Sequence, residues 1–210
     1  MSLKLPDSDA EVTPDGRRHA PSAERNAAPL LEVLRRELPA TGRLLEIAAG
    51  TGQHAAAFAA ALTGIDWQPT DANPDNLASI RAWSQAANLR PPVVLDAARP
   101  GWSAEWRPLD AVLVVNLLHL VPQAAVETLL DEACAALAPG GVFLIYGPFL
   151  RGGQATSKGD AKFHASLRAQ DPTIGYKDVE WVMGRLQAKA MAVAQHGLPA
   201  NNLMLVARRV

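Results

Sequence analysis

A glycine-rich turn within residues 44–52, which read LLEIAAGTG, is the clearest chemical feature of the sequence. An apolar strand runs into Gly50, Thr51 and Gly52, and a helical segment begins directly afterwards at Gln53. Glycines at such a turn allow unusual backbone dihedral angles and let a ligand approach the backbone, while the start of a helix offers free amide groups. The pattern favours a nucleotide-type cofactor at the carboxyl edge of a parallel sheet, with a tight strand-to-helix turn as the alternative.

An aspartate follows the turn at the distance expected for a contact with a ribose. Gly50, Gly52 and Ala55 satisfy the dinucleotide pattern G-x-G-x-x-A, and Asp71 comes 19 residues after Gly52. A carboxylate at this spacing accepts two hydrogen bonds from a vicinal diol, and that contact suits NAD and S-adenosylmethionine equally. The alternative interpretation of Asp71 is a helix cap or a turn residue.

Glu46 lies in the middle of the apolar strand that precedes the turn, where an unpaired charge is costly. Strand alternation places it on the same side as Ala48 and Gly50. We expect its carboxylate to bind the backbone of the turn, or to reach the ammonium group of a cofactor through water. A structural ion pair with Arg25 or Arg43 is the competing interpretation.

Apolar and helical segments alternate along the chain and must position these groups. This alternation predicts an α/β fold with a parallel sheet covered on both faces. The last two strand candidates are separated by a short turn, so they are predicted to pair antiparallel as a hairpin. The first helix is predicted to begin near Asn26 and Pro29, and Pro69 to lie where the second strand leaves the sheet. The strand candidates are residues 43–49, 65–71, 92–97, 109–120, 142–147, 191–194 and 202–208.

Composition excludes several classes of protein. The 210 residues are 49% hydrophobic and 20% charged, which is typical of a globular domain. The net charge of −1 lacks the positive footprint of a dedicated binder of nucleic acid or anionic membrane. Cys134 is the one cysteine, which excludes an intramolecular disulfide and a four-thiolate zinc site, and no histidine spacing indicates a metal.

No apolar run reaches the roughly 20 residues that a membrane span requires. We therefore expect a cytoplasmic protein with no membrane association and no nucleic-acid partner. Residues 1–21 combine proline, charge and little apolar content, and we expect a flexible tail there, followed by one folded domain over residues 22–210.

The segment from Glu46 to Gly52 resembles motif I of the class I S-adenosylmethionine-dependent methyltransferases, E-x-G-x-G-x-G, with Ala48 in place of the first glycine. The resemblance implies a three-layer, Rossmann-like fold with a seven-stranded, mostly parallel sheet in the order 3-2-1-4-5-7-6 and a C-terminal antiparallel hairpin. It implies that Asp71 binds the ribose and that Asp96 contacts the adenine. The implied cofactor-binding set is Arg25, Asn26, Glu46, Ala48, Gly50, Thr51, Gly52, Asp71, Asp96, Ala97 and Asn116.

Five further motifs resemble the uncharacterised family of methyltransferase-like protein 26, and this likeness covers residues 20–209. The motifs are AERN at 23–26, LEIAAGTGQH at 45–54, WQPTD at 67–71, YGPF at 146–149 and PANNL at 199–203. That family's pattern has Asp, Trp and Arg at the positions of His164, Ile174 and Lys177 in this chain.

Candidate catalytic groups lie beyond the carboxyl ends of the predicted strands, where ligands bind in open α/β sheets. His119, three residues after Asn116, is a candidate general base because an ordinary imidazole titrates near neutral pH. Tyr146 is a candidate to orient the substrate through its hydroxyl. Arg25 is predicted to bind the carboxylate of the cofactor. The alternatives are a buried core role for His119 and Tyr146 and a surface ion pair for Arg25.

The predicted function is methyl transfer from S-adenosylmethionine to a small-molecule acceptor. Three alternatives remain open: a cofactor-binding module without catalysis, a nicotinamide-dependent oxidoreductase that uses the same glycines and Asp71, and a methyltransferase that acts on protein or RNA. No Tyr-x-x-x-Lys pair for hydride chemistry is found in the sequence, which disfavours the oxidoreductase.

Overall fold

A computed structural model describes residues 10–210 of the chain. The strands are β1 (Glu11–Val12), β2 (Arg18–His19), β3 (Gly42–Ile47), β4 (Ile65–Asp71), β5 (Val93–Val94), β6 (Leu109–Val115), β7 (Leu137–Gly147), β8 (Phe149–Leu150), β9 (Lys177–Asp178), β10 (Met191–Gly197) and β11 (Leu203–Arg209). The helices are α1 (Pro21–Glu37), α2 (Gln53–Ala61), α3 (Pro74–Trp83), α4 (Ser103–Trp106), α5 (Gln123–Ala136), α6 (Lys158–Gln170) and α7 (Val179–Gln187), and Leu118–Leu120 form a 3₁₀ turn.

Seven of these strands form one mostly parallel sheet in the order β5-β4-β3-β6-β7-β11-β10. Numbered along the chain, this is the predicted order 3-2-1-4-5-7-6. The fold class is therefore confirmed, together with the C-terminal hairpin, because β10 and β11 pair antiparallel.

The described chain divides into two compact units. The first unit comprises residues 10–96 together with Leu109–Val114, and the second comprises Ala97–Pro108 together with Val115–Val210. None of the helices within residues 10–210 combines the length and the apolar character needed to cross a membrane.

In the first unit, β3 pairs parallel with β4 on one side and with β6 on the other. Leu44, Leu45 and Ile47 of β3 are buried, as expected for a central parallel strand that is covered on both faces. Trp67 of β4 and Phe58 of α2 are also fully buried, with ring centroids 5.9 Å apart. These large side chains hold α2, and with it the preceding glycine turn, against the sheet.

The predicted position of Pro69 is wrong. Pro69 lies inside β4, in register with Glu46, and the strand continues to Asp71. The proline is tolerated because the side chain of Gln68 supplies hydrogen-bond donors where the prolines of this region have none. The Nε2 amide of Gln68 donates to the carbonyl oxygens of Pro69 at 3.0 Å and of Pro91 at 2.9 Å.

Two adjacent prolines, Pro91 and Pro92, explain why the third strand candidate, residues 92–97, is reduced to β5 at Val93–Val94. Pro91 and Pro92 cannot donate to a ladder, so pairing with β4 is limited to its last two residues, Thr70 and Asp71.

The first helix begins earlier than predicted, at Pro21 instead of near Asn26 and Pro29. Pro21 occupies the first helical position, where its missing N–H costs nothing. The buried Ala20 and Ala23 fix this end of α1. Of the predicted flexible tail, residues 1–9 lie outside the described residues, whereas residues 10–21 contain the antiparallel β1–β2 hairpin and the first residue of α1.

In the second unit, β7 is longer than predicted because Pro139, Gly140 and Gly141 lie within the strand instead of preceding it. β7 pairs antiparallel with β11 over residues 142–147. Leu167 of α6 packs with Ile174 and Tyr176 in a separate apolar cluster. This cluster fixes the segment between α6 and α7, and that segment carries β9, which pairs with β8.

Candidate cofactor site

Three residues of the glycine turn adopt left-handed backbone conformations. Their φ angles are 54° at Ala48, 58° at Gly50 and 88° at Gly52. Such angles strain any residue that carries a Cβ, so Ala48 is the strained member of the three. The amide of Ala49 donates to the carbonyl of Thr70 at 2.8 Å, which ties the turn to the end of β4.

The two glycines of the turn have different roles. A Cβ added to Gly52 would lie 2.7 Å from the Cα of Ile80, so Gly52 is needed for close packing of α3. A Cβ added to Gly50 would meet nothing within 4 Å. Gly50 therefore exposes backbone to open space, where a ligand could approach it.

Asp71 is buried at the end of β4, with 5% of its surface exposed. Its Oδ2 accepts the amide of Gly50 at 2.9 Å, and its Oδ1 accepts the amide of Asn73 at 2.8 Å. The predicted proximity of this carboxylate to the glycine turn is thus realised through a direct hydrogen bond. An ionised carboxylate has about four acceptor positions, so two backbone donors leave room for hydroxyl groups of a ligand.

Glu46 finds its donor in an aromatic side chain instead of an arginine. Its Oε2 accepts the indole Nε1–H of Trp67 at 2.7 Å, and only 2% of the residue is exposed. Burial raises the pKa of Glu46 to about 7; the charge of Asp71 adds to the rise, and the Trp67 hydrogen bond opposes it. The ion pair with Arg25 or Arg43 does not form within residues 10–210. The sequence did not reveal this partner because Trp67 lies on the neighbouring strand.

The remaining predicted residues of the first unit are more exposed. Arg25 is exposed and Asn26 is half-buried on the first turns of α1, and Asp96 is half-buried after β5. The guanidinium of Arg25 forms no hydrogen bond or ion pair with any of residues 10–210. It is therefore available to a ligand.

The second unit holds the other predicted residues. Asn116 follows β6 with a φ of 56°, and its amide donates to the carbonyl of Tyr146 at 2.8 Å. The hydroxyl of Tyr146 accepts the Nδ2–H of Asn202 at 2.8 Å, and burial raises the pKa of Tyr146. Ala97, also in this unit, is buried and accepts the indole N–H of Trp102 at 3.4 Å through its carbonyl.

His119 is buried among aromatic rings. Its ring centroid lies 5.8 Å from that of Phe163 and 5.8 Å from that of Tyr176, both edge-on. Burial, with a smaller contribution from the charge of Lys177, lowers the pKa of His119 to about 3. His119 is therefore neutral at physiological pH, which does not fit the expected base that titrates near neutrality.

Two positions where the chain departs from the pattern of methyltransferase-like protein 26 support the loop that carries His119. Lys177 is buried, and its Nζ donates to the carbonyl oxygens of Val121 and Gly175, both at 2.8 Å. The Nδ1 of His164 accepts the amide of Tyr176 at 3.0 Å. Burial, followed by the charge of Arg168, lowers the pKa of Lys177 to about 8. Sequence reasoning could not assign these roles because each partner is a backbone group.

The described part of the chain offers no group of three or more His, Cys, Asp or Glu side chains arranged to hold a metal ion. The groups of the first unit that remain available to a ligand are the open backbone of Gly50, the buried carboxylate of Asp71 and, on α1, the unpaired guanidinium of Arg25. Such donors and acceptors suit a polar organic ligand that bears hydroxyl and carboxylate groups.

Comparison with known sequences decides the family. The sequence model of a family described as "Protein of unknown function (DUF938)" matches residues 17–209. The chain belongs to this family. The match covers nearly all of the residues that the structure describes, so we refer to the protein as the DUF938 chain.

Solved structures similar to the DUF938 chain are methyltransferases or share their fold. An O-methyltransferase family protein from Burkholderia thailandensis has 17% identity and a TM-score of 0.74 over 90% of this chain and 57% of that one. Human N-acetylserotonin methyltransferase, solved in complex with SAM, has 14% identity and a TM-score of 0.73 over 90% of this chain and 52% of that one. The YcgJ protein from Bacillus subtilis has 14% identity and a TM-score of 0.69 over 89% of this chain and 98% of that one.

The DUF938 chain spans only 57% and 52% of the first two of these proteins. At such low identities the likeness establishes the fold, which is that of the class I S-adenosylmethionine-dependent methyltransferases. The description of the matched family does not name methyltransferase-like protein 26, so membership of that family stays a prediction.

Proposed function

We propose that the DUF938 chain is a methyltransferase that uses S-adenosylmethionine. One observation carries the proposal: Gly50 presents open backbone at a left-handed turn and donates directly to the buried Asp71 carboxylate. This juxtaposition occurs at the carboxyl edge of parallel strands, where α/β folds bind ligands. Structures with the same fold include a protein solved in complex with SAM.

In this proposal, the first unit binds the cofactor. The free acceptor positions of Asp71 bind the ribose hydroxyls, and Gly50 and Thr51 line the turn beside them. Asp96 contacts the adenine, and Arg25, aided by Asn26, binds the carboxylate of the methionine moiety. Glu46, Ala48 and Gly52 shape the turn from behind. For Ala97 and Asn116, which belong to the second unit, cofactor binding stays a prediction from the sequence.

We further propose that His119 and Tyr146 serve the methyl acceptor, a small molecule. Since His119 is held neutral, its role is to donate or accept a hydrogen bond, not to store a proton. Tyr146 orients the acceptor through its hydroxyl, which Asn202 holds in place. S-adenosylmethionine is already activated, so alignment and exclusion of water contribute most of the catalysis. A nucleophile that carries no proton at neutral pH needs no base.

The cofactor assignment is tested by isothermal titration calorimetry with S-adenosylhomocysteine and with NADH. We expect the wild-type chain to bind S-adenosylhomocysteine and not NADH, and Asp71→Asn to weaken binding at least tenfold because one carboxylate oxygen becomes an amide donor. Asp75→Asn, an exposed position in the first turn of α3, is the matched control and should bind like wild type. Binding of NADH alone would overturn the assignment in favour of the oxidoreductase.

A cofactor-binding module without catalysis is the second candidate, and the burial of His119 between the rings of Phe163 and Tyr176 favours it, because little of the imidazole is exposed to an acceptor. Incubation with methyl-labelled S-adenosylmethionine and fractionated cell extract distinguishes the two. Label in the small-molecule fraction that disappears in His119→Ala, with cofactor affinity retained, supports the enzyme. Absence of label in every fraction, protein and RNA included, supports the binding module. Membership of the family of methyltransferase-like protein 26 and a cytoplasmic location remain proposals.

A further inference from the structure

The N-terminal segment, residues 11–23, is tied to the glycine turn through one buried hydroxyl. The amide of Arg18 donates to the Oγ of Ser79 at 2.9 Å, and that hydroxyl donates to the carbonyl of Thr51 at 2.7 Å. A serine hydroxyl has one donor and two acceptor positions, so both bonds form together. Ser79 is 1% exposed, and water therefore cannot replace either partner easily.

A second connection runs through the first residues of α2. The amide of Ala20 donates to the Oε1 of Gln53 at 2.6 Å, and the Oγ1 of Thr51 donates to the same oxygen at 3.1 Å. One residue further on, the Nε2 of His54 contacts the carbonyl of Ala23 at 3.0 Å. Because a carbonyl only accepts, this nitrogen carries the proton, and burial keeps His54 neutral by lowering its pKa to about 4.

The outer face of the segment is held by Trp83 of α3. The indole N–H of Trp83 donates to the carbonyl of Arg18 at 3.2 Å. The guanidinium of Arg17 lies 4.9 Å from the centroid of the Trp83 ring, and the ring of His19 meets it edge-on. The guanidinium of Arg18 bonds to Asn76 on the same helix. The segment is thus fixed on α3 and α2 at once, on both sides of the glycine turn.

We propose that Ser79 and Gln53 are positioning residues that hold the glycine turn in its ligand-binding conformation by tying it to the N-terminal segment. The inference rests on the proposed function. The turn needs external restraint because Gly50 and Gly52 have many accessible backbone conformations and Ala48 is strained in its left-handed one. Restraint before binding lowers the entropy lost when the ligand arrives, so the N-terminal segment contributes to affinity without touching the ligand.

The test compares Ser79→Ala and Gln53→Ala with Ser84→Ala. Ser84 lies at the end of the same helix and donates its hydroxyl to the carbonyl of Ile80 at 2.8 Å, with no bond to the turn. Ser79→Ala loses two hydrogen bonds of a buried hydroxyl and Ser84→Ala loses one, so the free energy of unfolding of each variant is measured beside its affinity to separate a general loss of stability from a loss of positioning. We expect the Kd for S-adenosylhomocysteine to rise about tenfold in Ser79→Ala and Gln53→Ala, and less than twofold in Ser84→Ala.

A second readout does not depend on the ligand. The amides of Gly50 and Gly52 are hydrogen-bonded in the turn, so their hydrogen exchange reports its order in the ligand-free chain. We expect exchange at these amides to be at least fivefold faster in Ser79→Ala than in wild type, and unchanged in Ser84→Ala. If wild type fails to bind S-adenosylhomocysteine, the proposed function fails and this readout alone decides the positioning role. Equal exchange in Ser79→Ala and Ser84→Ala, or equal affinities where wild type binds, would overturn the inference.

Discussion

At the scale of single residues, Glu46 is a buried acid whose ionisation opposes folding. Its folded pKa of about 7 lies above the ordinary value of 4.5. The folded chain therefore binds the proton more tightly than the unfolded chain does. The associated stability is fully present below pH 4.5 and is lost as the pH rises through 7.

We expect Glu46→Gln to remove this loss, because the amide oxygen still accepts the indole of Trp67 and carries no charge. A rise from 4.5 to about 7 corresponds to roughly 3 kcal/mol. The free energy of unfolding is measured by urea denaturation at pH 5 and at pH 8. It should be lower at pH 8 than at pH 5 in wild type and equal at the two pH values in the variant. Asp66→Asn is the control: the hydrogen bond from Arg90 lowers the pKa of Asp66, so this carboxyl is ionised throughout pH 5–8 and its replacement should leave the pH slope of wild type unchanged. An unchanged pH slope in Glu46→Gln would contradict the prediction.

Ala48 and Ala49 are adjacent alanines with different backbone requirements. Ala48 has a φ of 54°, so a glycine there relieves strain of about 1 kcal/mol. The gain is reduced by the greater freedom of glycine in the unfolded chain. We expect Ala48→Gly to be neutral or to stabilise by up to about 1 kcal/mol.

Ala49→Gly serves as the comparison, because this residue is buried and packs against Leu77 and Ile80. It should destabilise by about 1 kcal/mol, through lost packing and added chain freedom. Thermal denaturation of both variants decides the matter, and a larger loss for Ala48→Gly than for Ala49→Gly would refute the strain argument.

At the scale of elements, the edge of the sheet at β4 and β5 depends on the side chain of Gln68, which bonds to the carbonyl oxygens of Pro69 and Pro91. Gln68→Glu keeps the length of the side chain but removes the donors that reach the carbonyls of Pro69 and Pro91. We expect a loss of about 1 kcal/mol. Hydrogen exchange should become faster at the amides of Arg90 and Leu95, which donate to the carbonyl oxygens of Trp67 and Asp71, before and after Pro69. Gln85→Glu, at an exposed position after α3, should change neither quantity.

At the scale of the whole molecule, Cys134 offers a single reporter of opening. The residue is 6% exposed, and burial raises the pKa of its thiol to about 11. Since the thiolate is the reactive form, the low thiolate fraction alone should slow labelling by a thiol reagent at pH 8 about 100-fold relative to the chain in urea. Cys134→Ser provides the blank. Labelling of the native chain at the rate of the unfolded chain would show that α5 does not protect this site.

The strand order followed from the motif resemblance. Local sequence patterns were sufficient for the α/β fold, the glycine turn and the C-terminal hairpin, because residue spacing determines them. They were insufficient for Glu46, whose donor Trp67 comes from a different strand, and for Pro69, whose tolerance depends on Gln68. The contacts of residues 11–19 were not predicted because their partners, Ser79 and Trp83, lie about sixty positions along the chain. Polar and proline-rich composition alone does not distinguish such a docked segment from a free one.

The order of strands has a consequence for synthesis on the ribosome. β11 lies between β7 and β10 and bonds to both. β7 is synthesised before β10 and β11, so the edge of β7 that β11 covers stays unpaired until β11 has been made and has left the exit tunnel. A chain that lacks β11 would have two unsatisfied strand edges, one on β7 and one on β10, the kind of surface on which aggregates nucleate.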